Sequence, residues 1–383
     1  MAHIVHVMTV PESLGFLRGQ VAFMKSRGHT LSVVTSPGEG LREFGEREGV
    51  ETYAVEMPRK ITPAKDLESV ARLTAQLVKL RPDIVHAHTP KGGLLGMMAA
   101  TAARISRRIY HMRGLPMETA QGAKRALLAT TERVSCGLAH EVIAVSPSLR
   151  RTALEHRLCA ERKIRVLAGG SGNGVDAYGR FDPSNAGETT REDVRRELGV
   201  DADTVLVGFV GRLVRDKGIV ELTDAWSVVR EQFSNAKLVI VGPFEERDPV
   251  PDAVRARLER DPSIVMTGAR KDTPRLYAAM DVVVLPTYRE GFPNVLLEAG
   301  SMQKPVVSTR VTGCVDAVDD GRTGILVPAK ESKPLAQAIA RYVASAELRD
   351  AHGRAAREHV CAKFDRERIW TELEALYRNG DAR

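Results

Sequence analysis

The chain has 383 residues, of which 43% are hydrophobic, 27% charged and 5% aromatic, which excludes a disordered or fibrous protein and describes an ordinary globular one. That length exceeds what one hydrophobic core serves, so two domains of roughly 190 residues each are expected, with a cleft between them. The net charge of +7 is uneven: residues 1–183 hold 26 Lys and Arg against 17 Asp and Glu, and the remainder holds 30 against 32.

The start, Met1-Ala2-His3-Ile4-Val5-His6-Val7, has no charged leader and no cleavable apolar segment, and reads as a buried strand at once. No run approaches about eighteen apolar residues, so no spanning helix is expected and any membrane contact is peripheral. A cytoplasmic location follows as the expectation, with contact at the inner face of an anionic membrane as an addition. The basic first half suits anionic lipid or a diphosphate, or simply a solvated surface. Cys136, Cys159, Cys314 and Cys361 are too scattered for a zinc site or a disulfide framework, and reduced thiols are expected.

In chain order, short apolar runs at 4–10, 30–35, 83–87, 108–112, 141–145 and 164–167 alternate with amphipathic segments. Continuous apolar strands with helical crossovers predict a parallel, doubly wound sheet covered on both faces. The loop Thr9-Val10-Pro11-Glu12-Ser13-Leu14-Gly15 opens the first helix. His88-Thr89-Pro90-Lys91-Gly92-Gly93 follows the third run, and Lys91, near a helix start, either pairs with a phosphate or stands solvated. His86 reads as a strand histidine satisfied in the core. Tyr110-His111-Met112-Arg113-Gly114-Leu115 carries the fourth run into its loop, and His111 is expected to point elsewhere than Arg113 if the strand alternates.

Between 169 and 188 the pattern breaks into turn and linker residues, and the domain boundary is expected at 183/184. A helix at 191–198 restarts the pattern, with strands at 204–210, 237–241, 263–266, 281–285, 305–307 and 325–327. The domains are thus 1–183 and 184–365, followed by a helix at 366–377 with Ile369, Trp370, Leu373, Leu376 and Tyr377 on one face. Ligands of open α/β sheets bind beyond the carboxyl ends of the strands, and three motifs of the second half fall there.

Gly211-Arg212-Leu213-Val214-Arg215-Asp216-Lys217-Gly218 follows the strand at 204–210, and its Arg212 and Lys217 suit the charge that grows on a departing diphosphate. Thr267-Gly268-Ala269-Arg270 follows a third strand, where Arg270 is placed to stack on a base. Pro286-Thr287-Tyr288-Arg289-Glu290-Gly291-Phe292-Pro293-Asn294-Val295-Leu296-Leu297-Glu298-Ala299 follows the strand at 281–285. Pro293 suits a first helical position, so the N–H groups of Phe292, Asn294 and Val295 make an anion site of the kind that holds diphosphate. Glu298 suits a ribose and Glu290 a sugar ring, because carboxylates accept hydrogen bonds from hydroxyls. Asp201-Ala202-Asp203 has the spelling of a metal motif but precedes its strand, so no obligatory metal is expected.

These residues resemble the retaining glycosyltransferases of family 4, which have the GT-B fold: two doubly wound Rossmann-like domains facing a cleft. The glutamate pair in Glu290 to Glu298 carries the resemblance, with Gly211-Arg212 and Lys217-Gly218. Val10-Pro11-Glu12-Ser13-Leu14, Arg18-Gly19-Gln20, His88-Thr89-Pro90-Lys91 and Gly172-Asn173-Gly174-Val175-Asp176 point to the capsule and lipopolysaccharide branch. The resemblance implies that Gly15, Gly211, Arg212, Lys217, Arg270, Glu290, Gly291, Phe292, Asn294, Val295 and Glu298 hold a nucleoside-diphosphate sugar. UDP is the nucleotide expected from family frequency, and no cofactor is obligatory. It implies an acceptor side with Lys91, Arg113, Glu118 and Asn173, Arg113 standing where many relatives have a histidine near the transferred sugar. It also implies that the segment 366–383 crosses back onto the first domain. The expected reaction moves a hexose or N-acetylhexosamine to a saccharide hydroxyl, first of all on a polyprenyl diphosphate, with Arg113, Arg212, Lys217 and Glu290 as the catalytic set. A soluble secondary metabolite such as an antibiotic as acceptor, a nucleotide-sugar epimerase, and a non-catalytic binding protein are the rivals. Nucleic acid is not expected as a partner, since no aromatic stacking platform is present.

Overall fold

A computed structural model of the protein describes residues 1–186, 188–246 and 248–378. The chain divides into two compact units, Met1–Asn173 with the described part of Arg366–Arg383, and Gly174–Asp365. Residues 379–383 of the expected crossing segment lie outside the described residues.

The first unit is built on seven parallel strands: β1 (His3–Val7), β2 (Thr30–Thr35), β3 (Glu51–Ala54), β4 (Ile84–His88), β5 (Arg107–Met112), β6 (Glu141–Ala144) and β7 (Ile164–Arg165). Their order is β3-β2-β1-β4-β5-β6-β7, so the winding reverses beside β1. β1, β4 and β5 are central and almost wholly buried, which is why they read as apolar runs. β3 was not legible as a strand. It is an edge strand of sequence Glu-Thr-Tyr-Ala with no buried residue, and an edge strand needs no apolar pattern.

The helix Arg366–Arg378 lies against this sheet. Its Trp370, Leu373, Leu376 and Tyr377 share one core with Ile4, Leu17, Met24, Ile84 and Ile109, each such large side chain contributing about 2 kcal/mol by leaving water. Gly19, at φ +76°, lies where a Cβ would come within 2.7 Å of the Trp370 ring, so the glycine is needed both for its conformation and for the close approach of the helix.

The passage into the second unit falls between Asn173 and Gly174, earlier than the turn-rich stretch suggested. Val175 donates to the Phe364 carbonyl at 3.0 Å and pairs with Asp365, and Ala177 and Phe181 are buried in the second core. Turn residues marked the irregular backbone there, but burial decides the boundary.

The second sheet has β8 (Val205–Val210), β9 (Ala236–Val241), β10 (Ile264–Gly268), β11 (Val282–Leu285), β12 (Val306–Thr309) and β13 (Gly324–Val327), in the parallel order β10-β9-β8-β11-β12-β13. Here the winding reverses between β8 and β11. Asp281, just before β11, ties this seam from below: it accepts from Arg191 at 2.6 Å, from the Leu206 N–H at 2.7 Å and from Arg195 at 3.4 Å. Among the described residues no helix is long and apolar enough to cross a membrane.

Candidate active site

In the second unit the loops after β8 and β11 lie next to each other because those strands are neighbours in the sheet. Backbone bonds stitch them together. Tyr288 N–H donates to the Asp216 carbonyl at 2.8 Å, and the Thr287 hydroxyl donates to the same oxygen at 3.0 Å. Arg289 Nε donates to the Asp216 carboxylate at 3.0 Å. Gly218, at φ +72°, sits so close to the β11 loop that a Cβ would be 1.9 Å from the Pro286 carbonyl oxygen. This closeness brings Lys217 and Glu290 into a direct ion pair, both side chains mostly buried. The crevice where the winding reverses is where such sheets bind ligands.

Pro293 caps the helix Asn294–Ser301 rather than occupying its first position, and its side chain takes up none of the N–H groups of that first turn. Gly291 is buried beneath them, and Gly313 approaches it so closely that a Cβ there would be 2.4 Å from the Gly291 carbonyl oxygen. Phe292 packs edge-on against Phe364 with ring centres 5.1 Å apart. Glu298, in the second turn of the helix, accepts from the buried Tyr277 hydroxyl at 2.9 Å. Buried Cys314 has its thiol pushed up to about 12 by burial and by the Glu290 carboxylate.

Arg212 and Arg270 stand apart from that pair. Arg212, half exposed beyond Gly211, donates to Glu245 at 2.8 Å. Glu245 belongs to the loop after β9, and sequence reasoning assigned it no role. Arg270 is gripped by Asp272 at 2.8 and 2.7 Å and by Glu197 at 2.6 Å, which raises its pKa through those bonds. Asp272 is correspondingly pulled down to about 2, first by its bond to Arg270.

The remaining predicted residues belong to the first unit. Gly15 lies in the 3-10 turn Pro11–Leu17, with open space where a Cβ would be. Lys91, in the helix Pro90–Ala102, pairs with Asp66 at 2.7 Å and donates to the Lys60 carbonyl. Glu118 ends the turn Pro116–Glu118 after β5. Asn173 has its carboxamide taken up at the crossing of the chain: its Oδ1 accepts from Trp370 Nε1 at 2.7 Å and from Gln20 at 3.4 Å, while its Nδ2 donates to the Arg18 carbonyl at 3.0 Å.

Arg113 leans over the Phe16 ring, 4.2 Å from its centre. Its Nε and Nη2 donate to His88 Nδ1, each at 3.2 Å, and Nη2 also donates to the Gly172 carbonyl at 3.4 Å. Burial lowers its pKa to about 9, so it stays charged at neutral pH. His88 is one of four buried histidines on a single face of the sheet, with His6 on β1, His86 on β4 and His111 on β5. In register, His6 faces His86 and His88 faces His111. The expectation that His111 points elsewhere is corrected: it stacks 5.2 Å from both His86 and His88, because residues two apart on a strand share a face. His86 is satisfied in the core as expected, bonding Tyr377 at 2.6 Å and His111 at 3.2 Å. Burial, and then Arg113 and the neighbouring rings, hold all four well below the ordinary histidine value, His6 at about 3.

Comparison with known proteins shows the family of the chain. Residues 204–345 match the model of glycosyl transferases group 1, and residues 16–170 match that of the glycosyl transferase 4-like domain. The capsular polysaccharide biosynthesis glycosyltransferase CapM of Staphylococcus aureus is 34% identical, over 98% of this chain and 96% of its own length. The N,N'-diacetylbacillosaminyl-diphospho-undecaprenol alpha-1,3-N-acetylgalactosaminyltransferase of Campylobacter jejuni is 25% identical over 85% of each chain. The crystal structure of Anabaena HepE in complex with UDP-glucose superposes with a TM-score of 0.82 at 21% identity, over 99% of this chain and 100% of that one, a likeness of fold.

Proposed function

The chain belongs to the family-4 glycosyltransferases, a group 1 enzyme on the GT-B fold, and from that premise we propose that it moves a hexose or N-acetylhexosamine from a nucleoside-diphosphate sugar, UDP-linked, to an acceptor hydroxyl with retention of configuration. The observation that carries this reading is the Lys217–Glu290 pair where the winding of the second sheet reverses. A cation and a carboxylate held together, beside a helix start with free N–H groups, supply what a sugar diphosphate needs. Lys217 and Arg212 take the diphosphate, Glu290 the sugar hydroxyls, and Glu298 the ribose. Gly211, Gly291, Phe292, Asn294 and Val295 offer backbone at close approach. Arg270, clamped edge-on by Asp272, keeps its flat face for the base.

The acceptor oxygen forms a bond to the anomeric carbon on the face that the phosphate leaves. The acceptor proton passes to the departing phosphate oxygen, and the cations stabilise the charge left on the diphosphate. Arg113 contacts the sugar or an acceptor anion, and Lys91, Glu118 and Asn173 serve the acceptor. The name of the Campylobacter enzyme supports a polyprenyl-diphosphate-linked saccharide as acceptor and that of CapM supports surface polysaccharide synthesis, on a cytoplasmic enzyme that meets the membrane peripherally through its basic first half.

The test is a transfer assay with UDP-, GDP- and TDP-sugars against undecaprenyl-diphosphate-linked monosaccharides, with the product's anomeric proton coupling read by NMR. Transfer from a UDP-sugar with the donor's anomeric configuration kept is the expected result. Inversion refutes the mechanism, and transfer only to a soluble small molecule refutes the acceptor.

A further inference from the structure

The four histidines of the first sheet form two directed chains of hydrogen bonds. Arginine only donates, so His88 Nδ1, which receives Arg113 Nε and Nη2 at 3.2 Å, must be a lone pair. A neutral His88 therefore carries its proton on Nε2, and that N–H donates to His6 Nδ1 at 2.9 Å. His6 in turn keeps its proton on Nε2, which is buried without a partner among the described residues. The other chain runs from the Tyr377 hydroxyl through His86 to His111 and packs its rings 4.2 and 5.2 Å from His88. Arg113 is thus held along one edge by His88 and by the Gly172 carbonyl, while its Nη1 group takes no protein acceptor among the described residues.

We propose that His88, its ring fixed by His6, is the positioning residue for Arg113, holding the guanidinium so that its Nη1 edge meets an oxygen of the substrate. This rests on the assignment of Arg113 to the transfer reaction. Gly172 belongs to the same device, since a Cβ there would stand 2.1 Å from Arg113 Nη1. The alternative use of the cluster is a metal ion, because His6, His86 and His88 offer ring nitrogens within 4.8 Å of one another. The Arg113 charge on His88 opposes it: a second buried cation beside the first, with no carboxylate in the set, is costly.

Two measurements on the full chain test the proposal. In wild-type protein labelled with 15N-histidine at neutral pH, His88 is expected as the Nε2–H tautomer with a bare Nδ1, its signals assigned by their loss in His88→Asn. Kinetically, His88→Ala should lower kcat about 10- to 100-fold in the wild-type background, as a displaced positioning group does, and by less than about twofold in an Arg113→Ala background. His88→Asn, whose Oδ1 replaces the Nδ1 lone pair, should stay within about threefold of wild type. An Nδ1–H or doubly protonated His88, equal losses in both backgrounds, or stoichiometric Zn2+ binding that His6→Ala abolishes would each overturn the proposal. If His88→Ala does not fold, the tautomer and His88→Asn carry the test. Wild-type rates in Arg113→Ala alone would instead sink the role of Arg113 in the reaction.

Discussion

In the second unit the ionisable groups that matter stand on loops beyond the strand ends, where Lys217 meets Glu290 and Arg212 meets Glu245. In the first unit a cluster stands on the strands themselves, with His6, His86, His88 and His111 filling one buried face and Arg113, just past the end of β5, bonding to it. Both sheets place strands of the same sequential order around the reversal of winding. A parallel sheet can therefore carry chemistry in two ways. Loop groups stand in ion pairs, ready to exchange a protein partner for a ligand. Face groups are stripped of charge by burial and act through directed hydrogen bonds.

The sharpest way to break that comparison is to remove a loop carboxylate. Glu290→Ala should lower kcat about 100- to 1,000-fold, as the loss of one preorganised transition-state contact does, and should also lower the melting temperature because Lys217 loses its partner; steady-state transfer kinetics beside calorimetry check both. Next is Gly218→Ala, which meets a backbone oxygen and a positive φ together. It should destabilise the second unit by about 3 kcal/mol or more, read from urea unfolding.

A smaller and more selective effect is expected at Gly172. The atom that a new Cβ meets is the far end of the Arg113 side chain, which can move, so Gly172→Ala should keep the fold and reduce transfer about tenfold by displacing the guanidinium. An unchanged rate in a folded variant would show that Arg113 needs no fixed place.

The smallest effect is one of pH. Burial raises the Glu132 carboxyl from 4.5 to about 7, against the bond it accepts from Tyr110 at 2.7 Å. The folded state then binds more protons than the unfolded between those values, so stability falls as pH rises through that window, by roughly 1 kcal/mol per unit at most. Glu132→Gln should flatten the slope in urea titrations across that range.

The division between loops and faces also decides what could be read from sequence. Twelve of the strands announced themselves as apolar runs, and Gly211 to Gly218 and Glu290 to Glu298 were legible because a short spacing along one loop fixes which groups can meet. β3 escaped because an edge strand has no buried face to pattern. His6 and His88 are 82 residues apart, and only the pairing register of β1 on β4 brings them together. Glu245 and Arg212 meet through neighbouring strands in the same way. The Asn173 carboxamide could be placed only once Trp370 had returned to the first unit.

The central claim is that the loops after β8 and β11 hold a nucleoside diphosphate through Lys217, and isothermal titration of UDP into wild-type protein and into Lys217→Ala and Arg212→Ala tests it most directly. Saturable one-site binding is predicted, weakened about 10- to 100-fold by Lys217→Ala through the loss of a charge-assisted bond, and less by Arg212→Ala because that side chain is half exposed. Equal affinity in wild type and Lys217→Ala, or no binding of UDP, GDP or TDP by wild type, would contradict it.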